Sequence, residues 1–279
     1  MEKAIKRYWP VFVLPTLAAF CVGFIYPFVQ GLYLSFCKFT TIKKASFNGI
    51  TNYVYALTDA DFWHSFWFTA LFTVVSTVLI NVLAFTIALA LTSKIKGSNV
   101  FRTVFFMPNL IGGIVLGYIW QILLNCVLTL LEKPLLSLNA TYGFWGLIIL
   151  MCWQQIGYMM IIYIAGLQSI PTDYLEAAHI DGANSWQTFW EITVPLLMPT
   201  IVMTGIMSIN GTLQLFDESV NLTKGGPANS TITMSHYIYN SSFGEGTHNF
   251  GYAAAMSFFV FILVAVLAAI NLKVGDTRD

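Results

Sequence analysis

The 279-residue chain carries 13 Lys or Arg and 13 Asp or Glu, so 9% of it is charged, against about 25% in soluble globular domains. With 57% hydrophobic residues, 23 phenylalanines and a mean hydropathy of +0.72, it has too little polar surface to cover a water-soluble fold, which excludes a soluble enzyme. Zero net charge without a basic cluster excludes a nucleic-acid binder held by phosphate contacts.

Windows free of Asp, Glu, Lys and Arg mark the elements in chain order. The first, residues 8–37, follows Lys3, Lys6 and Arg7 and so imitates a secretory signal. Further segments of the same kind follow, so it is read as a retained first span. The next windows are 62–93, 103–131, 134–172, 192–216 and 246–272. Each exceeds the roughly 20 residues a helix needs to cross hydrocarbon. None shows the period-two alternation of a barrel strand. The fold class is therefore all-α, a polytopic membrane protein with six transmembrane helices. A seventh charge-free window, 225–244, is rich in Gly, Asn, Ser and Thr and is expected to be a loop.

Six spans place both termini on one side. With the termini cytoplasmic, the inner segments hold Lys3, Lys6, Arg7, Lys94, Lys96, Arg102, Lys273 and Arg278, eight in all. The outer segments hold five, Lys38, Lys43, Lys44, Lys133 and Lys224. The bias follows the positive-inside rule modestly. Residues 1–10 are then a cytoplasmic N-terminus, and 11–279 a single membrane domain. Cys21, Cys37, Cys126 and Cys152 are widely spaced and are expected to be buried small hydrophobes. His64, His179, His236 and His248 share no ligand spacing, so no metal is expected. Gly112, Gly113 and Gly117 are expected to let helices approach closely.

The fourth loop, 168–198, is the most informative stretch. It contains Asp173, Glu176, Asp181 and Glu191 but no Lys or Arg. A short helix is expected after Pro171, capped by Asp173 with Glu176 three residues on and ended by Gly182 in the left-handed conformation. A second is capped by Asn184 or Ser185 and carries Trp186, Phe189 and Trp190. On pattern alone, such an element is either an interfacial elbow with its aromatic rings at headgroup level or a docking surface. Ala177-Ala178 would allow close approach, and Glu176 would supply a directional contact.

Glu176-Ala177-Ala178, Gly182, Ile192 and Pro195, at their spacing, resemble the cytoplasmic loop signature of permease subunits in binding-protein-dependent ABC importers. Val194 departs from the usual Leu, and His179 from the usual Arg. Phe101-Arg102-Thr103-Val104-Phe105-Phe106-Met107-Pro108 is similar to sugar permeases, and Leu222-Thr223-Lys224-Gly225-Gly226-Pro227 and Phe250-Gly251-Tyr252-Ala253-Ala254-Ala255 resemble the maltose and oligosaccharide branch, on its first-permease side. The resemblance runs over nearly the whole chain. It implies the type I importer permease fold in a bacterial cytoplasmic membrane, with a second permease subunit, two ATPase subunits and an extracytoplasmic solute-binding protein as partners. It also implies that Glu176, Ala177, Ala178, Asp181 and Gly182 couple the spans to the ATPase. No cofactor is expected in this chain: ATP and Mg would be bound by the partner ATPase, and no Gly-Lys pair of a phosphate-binding loop occurs.

Polar residues inside the spans are candidates for a solute path. Gln154, Gln155 and Tyr158 share one helix face by their i,i+3 and i,i+4 spacing. Ser208, Gly211 and Thr212 group similarly in the next span. In the maltose-like branch, Tyr158, Ser208, Gly211 and Thr212 correspond to cavity positions. The set suits a neutral sugar, whereas packing between helices accounts for any single member equally well. Asn81, Gln121, Asn210 and Gln214 are read as packing residues, and Asp217 and Glu218 as a solvated pair at the outer membrane edge. A glycerol-phosphate importer would recruit Arg or Lys to the spans, and a secondary transporter would need coupling carboxylates there. Neither feature occurs within the six windows.

Overall fold

The computed structural model describes residues 2–39, 41, 44–93, 96–244 and 249–276, without the side chains of 2–8, 10 and 271–276. Lys43, Lys94, His248 and Arg278 of the charge and histidine readings lie outside the described residues. So do the side chains of Lys3, Lys6, Arg7 and Lys273. Six helices are long and apolar enough to cross a membrane: Val11–Ser35, Ala60–Thr92, Gly113–Leu130, Ala140–Ser169, Ser185–Leu213 and Phe250–Ile270. Each overlaps one of the six charge-free windows, the second reaching back over Asp61 and the fifth back over Glu191 to Ser185. The chain is thus mostly helical, with its strands confined to the two-residue ribbon Cys37–Lys38 and Ser46–Phe47 among the described residues.

Two departures from the windows have local causes. The third window opens with a separate helix, Ser98–Phe106, and a 3-10 turn, Met107–Leu110; its span starts only at Gly113. Pro108 in the turn and the extended Gly112 just before the span interrupt the helical run there. The window 225–244 is a turn followed by the helix Met234–Phe243, so the expectation of a loop throughout was too coarse. Its Asn, Ser and Thr content disguised a helix whose first residues are buried.

Prolines also explain two widened helical turns. The π-helical turn Cys21–Ile25 ends two residues before Pro27, and Phe189–Thr193 ends two residues before Pro195. A proline ring clashes with the carbonyl four residues back and donates no hydrogen bond to it. Widening the preceding turn, with Tyr26 N–H donating to the Cys21 carbonyl and Val194 N–H to that of Phe189, accommodates the ring without ending the helix.

The described residues form two compact units. The first comprises Met1–Ala60 and Ile238–Leu263. Phe28 packs edge-on against Phe261, with ring centroids 5.0 Å apart, and against Phe258. At the end of the first span, the Asn52 amide donates to the carbonyls of Ser35 at 2.8 Å and Cys37 at 2.9 Å. This ties the chain reversal to the following helix. Gly251 is required beside it, because a methyl group there would stand 1.9 Å from the Cys37 carbonyl oxygen.

The second unit comprises Asp61–Tyr237 and Val264–Asp279. Its centre is the fourth span, which supplies Leu147, Leu150, Met159, Met160 and Tyr163 to a core shared with Phe72 and Ile80 of the second span and Leu197 of the fifth. Glycines let neighbours close on it. A methyl group at Gly157 would fall 1.8 Å from the Phe105 carbonyl oxygen, and one at Gly166 2.5 Å from the Thr200 hydroxyl. Gly113 and Gly117 likewise admit residues 217–221, whereas Gly112 meets nothing within 4 Å and serves as the extended residue before the helix. Cys37 and Cys152 are buried as expected. Cys126 is exposed on the third span and Cys21 is half-exposed, which corrects that expectation for half of the set.

Candidate functional sites: an exposed loop helix and a buried carboxylate

The loop after the fourth span folds into the helix Thr172–Ile180 and the short helix Ser185–Thr188. Extended Pro171 occupies the first capping position and no side chain caps that end, so Asp173 lies within the first turn and the expected capping box does not form. The carboxylate still sits favourably near the positive helix end. Termination follows the sequence: Gly182 has φ of +80°, its N–H donates to the His179 carbonyl, and Ala183 N–H donates to that of Ala178. These are the paired bonds of a glycine-ended helix. Asn184 then caps the second helix reciprocally with Gln187.

Glu176, Ala177, Asp181 and Gly182 are exposed and Ala178 is buried. Tyr174 and Leu175 are exposed too, and Ile180 is 86% exposed. This nine-residue helix presents apolar side chains and carboxylates together, outside the six spans. Rings lead inward from it. Trp186 packs on Phe189, Phe189 on Phe85 at 5.9 Å, and Phe85 on Tyr163 at 5.3 Å.

Tyr163 was not among the sequence candidates, although a tyrosine in an apolar span signals a buried partner. Its hydroxyl donates to Asn81 Oδ1 at 2.8 Å and accepts from the Thr204 hydroxyl at 2.7 Å. The Asn81 amide donates to Ser208 Oγ at 3.0 Å, and Ser208 donates to the Thr204 carbonyl. This ring of bonds joins the second, fourth and fifth spans. Asn81 is a packing residue, as expected. Ser208, a solute-path candidate, is 2% exposed and belongs to the same knot. Thr212 is buried and donates to carbonyls of its own helix. Gln155 and Tyr158 are half-buried and Gly211 is exposed. The candidates therefore divide into three that reach accessible surface and three, Gln154, Ser208 and Thr212, that are packed away in this conformation.

The largest correction concerns Glu218. It is only 8% exposed, not solvated at the membrane edge. The chain after the fifth span turns inward through the π-helical turn Ser219–Thr223, which packs along Gly113 and Gly117 of the third span. This brings the Glu218 carboxylate to Gln154, midway along the fourth span Ala140–Ser169. Burial, opposed by its own backbone hydrogen bond, and then the neighbouring Asp217 charge push its carboxyl above the usual range. The Gln154 hydrogen bond acts in the opposite direction. Close by, His236 is buried, its Nδ1 lies 3.0 Å from Ser219 Oγ, and burial pushes the imidazole below its ordinary value. Among the described residues no group of three or more His, Cys, Asp or Glu gathers as a metal site.

The binding-protein-dependent transport system inner membrane component family matches residues 83–274. The chain belongs to this family. As a permease of the family it is a multi-pass membrane protein and a transport subunit, not itself catalytic. Relatives of similar length include the probable starch degradation products permease AmyD of Thermoanaerobacterium thermosulfurigenes, 38% identical over 98% of this chain and 94% of its own length. The multiple sugar-binding transport permease MsmF of Streptococcus mutans is 34% identical over 99% and 98%. The sn-glycerol-3-phosphate permease UgpA of Brucella abortus is 31% identical over 96% and 95%. In fold, the chain resembles a bacterial ABC transporter that imports the acidic polysaccharide alginate, with a TM-score of 0.83 at 20% identity over 99% of this chain and 98% of the other.

Proposed function

We propose that this permease carries a neutral sugar or oligosaccharide, delivered by an extracytoplasmic solute-binding protein, across a bacterial cytoplasmic membrane with both termini cytoplasmic. A second permease subunit completes the pathway, and two separate ATPase subunits bind ATP and Mg. The observation that carries the reading is the exposed helix Thr172–Ile180 and the turn that ends it, where Glu176, Ala177, Asp181 and Gly182 are exposed while Phe189, Phe85 and Tyr163 continue inward from the same loop. Motion of a docked ATPase would reach the knot of Asn81, Tyr163, Thr204 and Ser208 by that packed route.

Gln155, Tyr158 and Gly211 are the accessible part of the proposed solute path. Gln154, Ser208 and Thr212 join it only when the spans part. The sugar reading is favoured over glycerol phosphate by charge: the six windows hold no Lys or Arg, and the ionisable group that reaches the middle of the fourth span is a carboxylate, which repels a phosphate. Uptake of radiolabelled maltotriose and of radiolabelled glycerol 3-phosphate by vesicles holding the complete importer tests the reading. ATP-dependent maltotriose entry is expected; entry of glycerol 3-phosphate alone would overturn it.

A further inference from the structure

Glu218 and Gln154 are each 8% exposed, and one group of the pair is unsatisfied. The Gln154 side chain adjoins the carboxylate, and its Oε1 is buried without a partner. An amide oxygen left in that state costs stability and calls for a physical account. The carboxylate is held where a side chain on the third span would have been. A methyl group at Gly113 would stand 2.6 Å from Glu218 Oε1. The two carboxylate oxygens and the unpartnered amide oxygen therefore lie together beside the middle of the fourth span. The complement of this set is a group rich in hydrogen-bond donors, which on the sugar-importer reading are hydroxyls.

We infer that Glu218 and Gln154 form a hydroxyl-binding subsite of the solute path, taking adjacent hydroxyl groups of a neutral sugar. The inference rests on the sugar-importer reading and adds to it a residue, Glu218, and a chemistry. In the structure described, the Gln154 side chain lies against the carboxylate. When the fourth span and the 217–223 segment part, sugar hydroxyls donate to Glu218 and one of them donates to Gln154 Oε1, so that each acceptor is satisfied while solute is present. A carboxylate with an amide also rejects anionic solutes at this point.

The test uses the complete importer in liposomes with radiolabelled maltose, maltotriose and lactose, comparing the parent with Glu218→Gln and Gln154→Leu. Co-purification of the ATPase subunits checks assembly. Uptake of whichever sugar the parent carries is expected to fall about tenfold or more in both variants, the size expected when a hydrogen bond to a charged group is lost. Uptake within twofold of the parent in assembled variants would overturn the subsite and leave the sugar reading standing. If Glu218→Gln does not assemble, Gln154→Leu decides alone by the same criterion. A parent that carries none of the three sugars would overturn the sugar reading, and the subsite with it.

Discussion

The helix Thr172–Ile180 and the segment from Gln214 to Tyr237 both adjoin the fifth span, yet they treat their polar groups in opposite ways. The first puts Glu176 and Asp181 in the open beside bare apolar side chains. The second folds inward and buries Glu218, Ser219, Thr223, Thr231, Thr233 and His236, bonding Ser219 to His236 and Thr233 to the Leu215 carbonyl. An exposed carboxylate costs little to keep charged. A buried one is expensive and persists only where neighbours are shaped around it, as Gly113 and Gln154 are here. On the proposed function, the first is the surface that receives force and the second the interior that meets solute.

That contrast can be broken by substitution, and the largest effect is expected at the packing on which both regions depend. Gly157→Leu drives a side chain into the Phe105 carbonyl, with which even a methyl group would overlap. The subunit should be lost from purified membranes, as seen by immunoblot. Next in size, Gly182→Val imposes a β-branched residue at φ of +80°, a conformation costing about 1–3 kcal/mol. Uptake should fall at least tenfold while the subunit remains inserted. Asn81→Ala leaves Tyr163 and Ser208 without their shared partner. Thermal unfolding in detergent should show a loss of about 1–2 kcal/mol, and uptake should suffer less than in Gly182→Val.

The smallest effect concerns His236. Its imidazole titrates below the ordinary value of about 6.5 because burial disfavours the charged form. The neutral ring's contribution to stability is therefore complete above about pH 6.5 and is lost as pH falls through the lower folded-state value. The melting temperature should drop on acidification below that point, and His236→Asn should flatten this part of the profile. An unchanged slope would assign the acid sensitivity elsewhere.

Much of the architecture was legible because charge is excluded from hydrocarbon, and each of the six spans overlaps a charge-free window. Gly182 and Asn184 were legible because helix ends have local chemistry. Asp173 was misplaced because Pro171, already extended, starts the helix without a side-chain cap. Glu218 was misread for a different reason. Its neighbours Gly113 and Gln154 lie over 60 positions away in sequence, and no local pattern reports such a meeting. Ser208 and Thr212 show the remaining limit, since one hydroxyl in a span serves a solute or a neighbouring helix with the same residue type.

The most direct test of the account is the number of sugar molecules carried per ATP hydrolysed by the complete importer, measured for the parent and for Glu176→Ala in the same vesicles. Coupling through the exposed loop helix predicts that the ratio falls at least tenfold in the variant while the subunit stays inserted. A ratio equal to the parent's would contradict it.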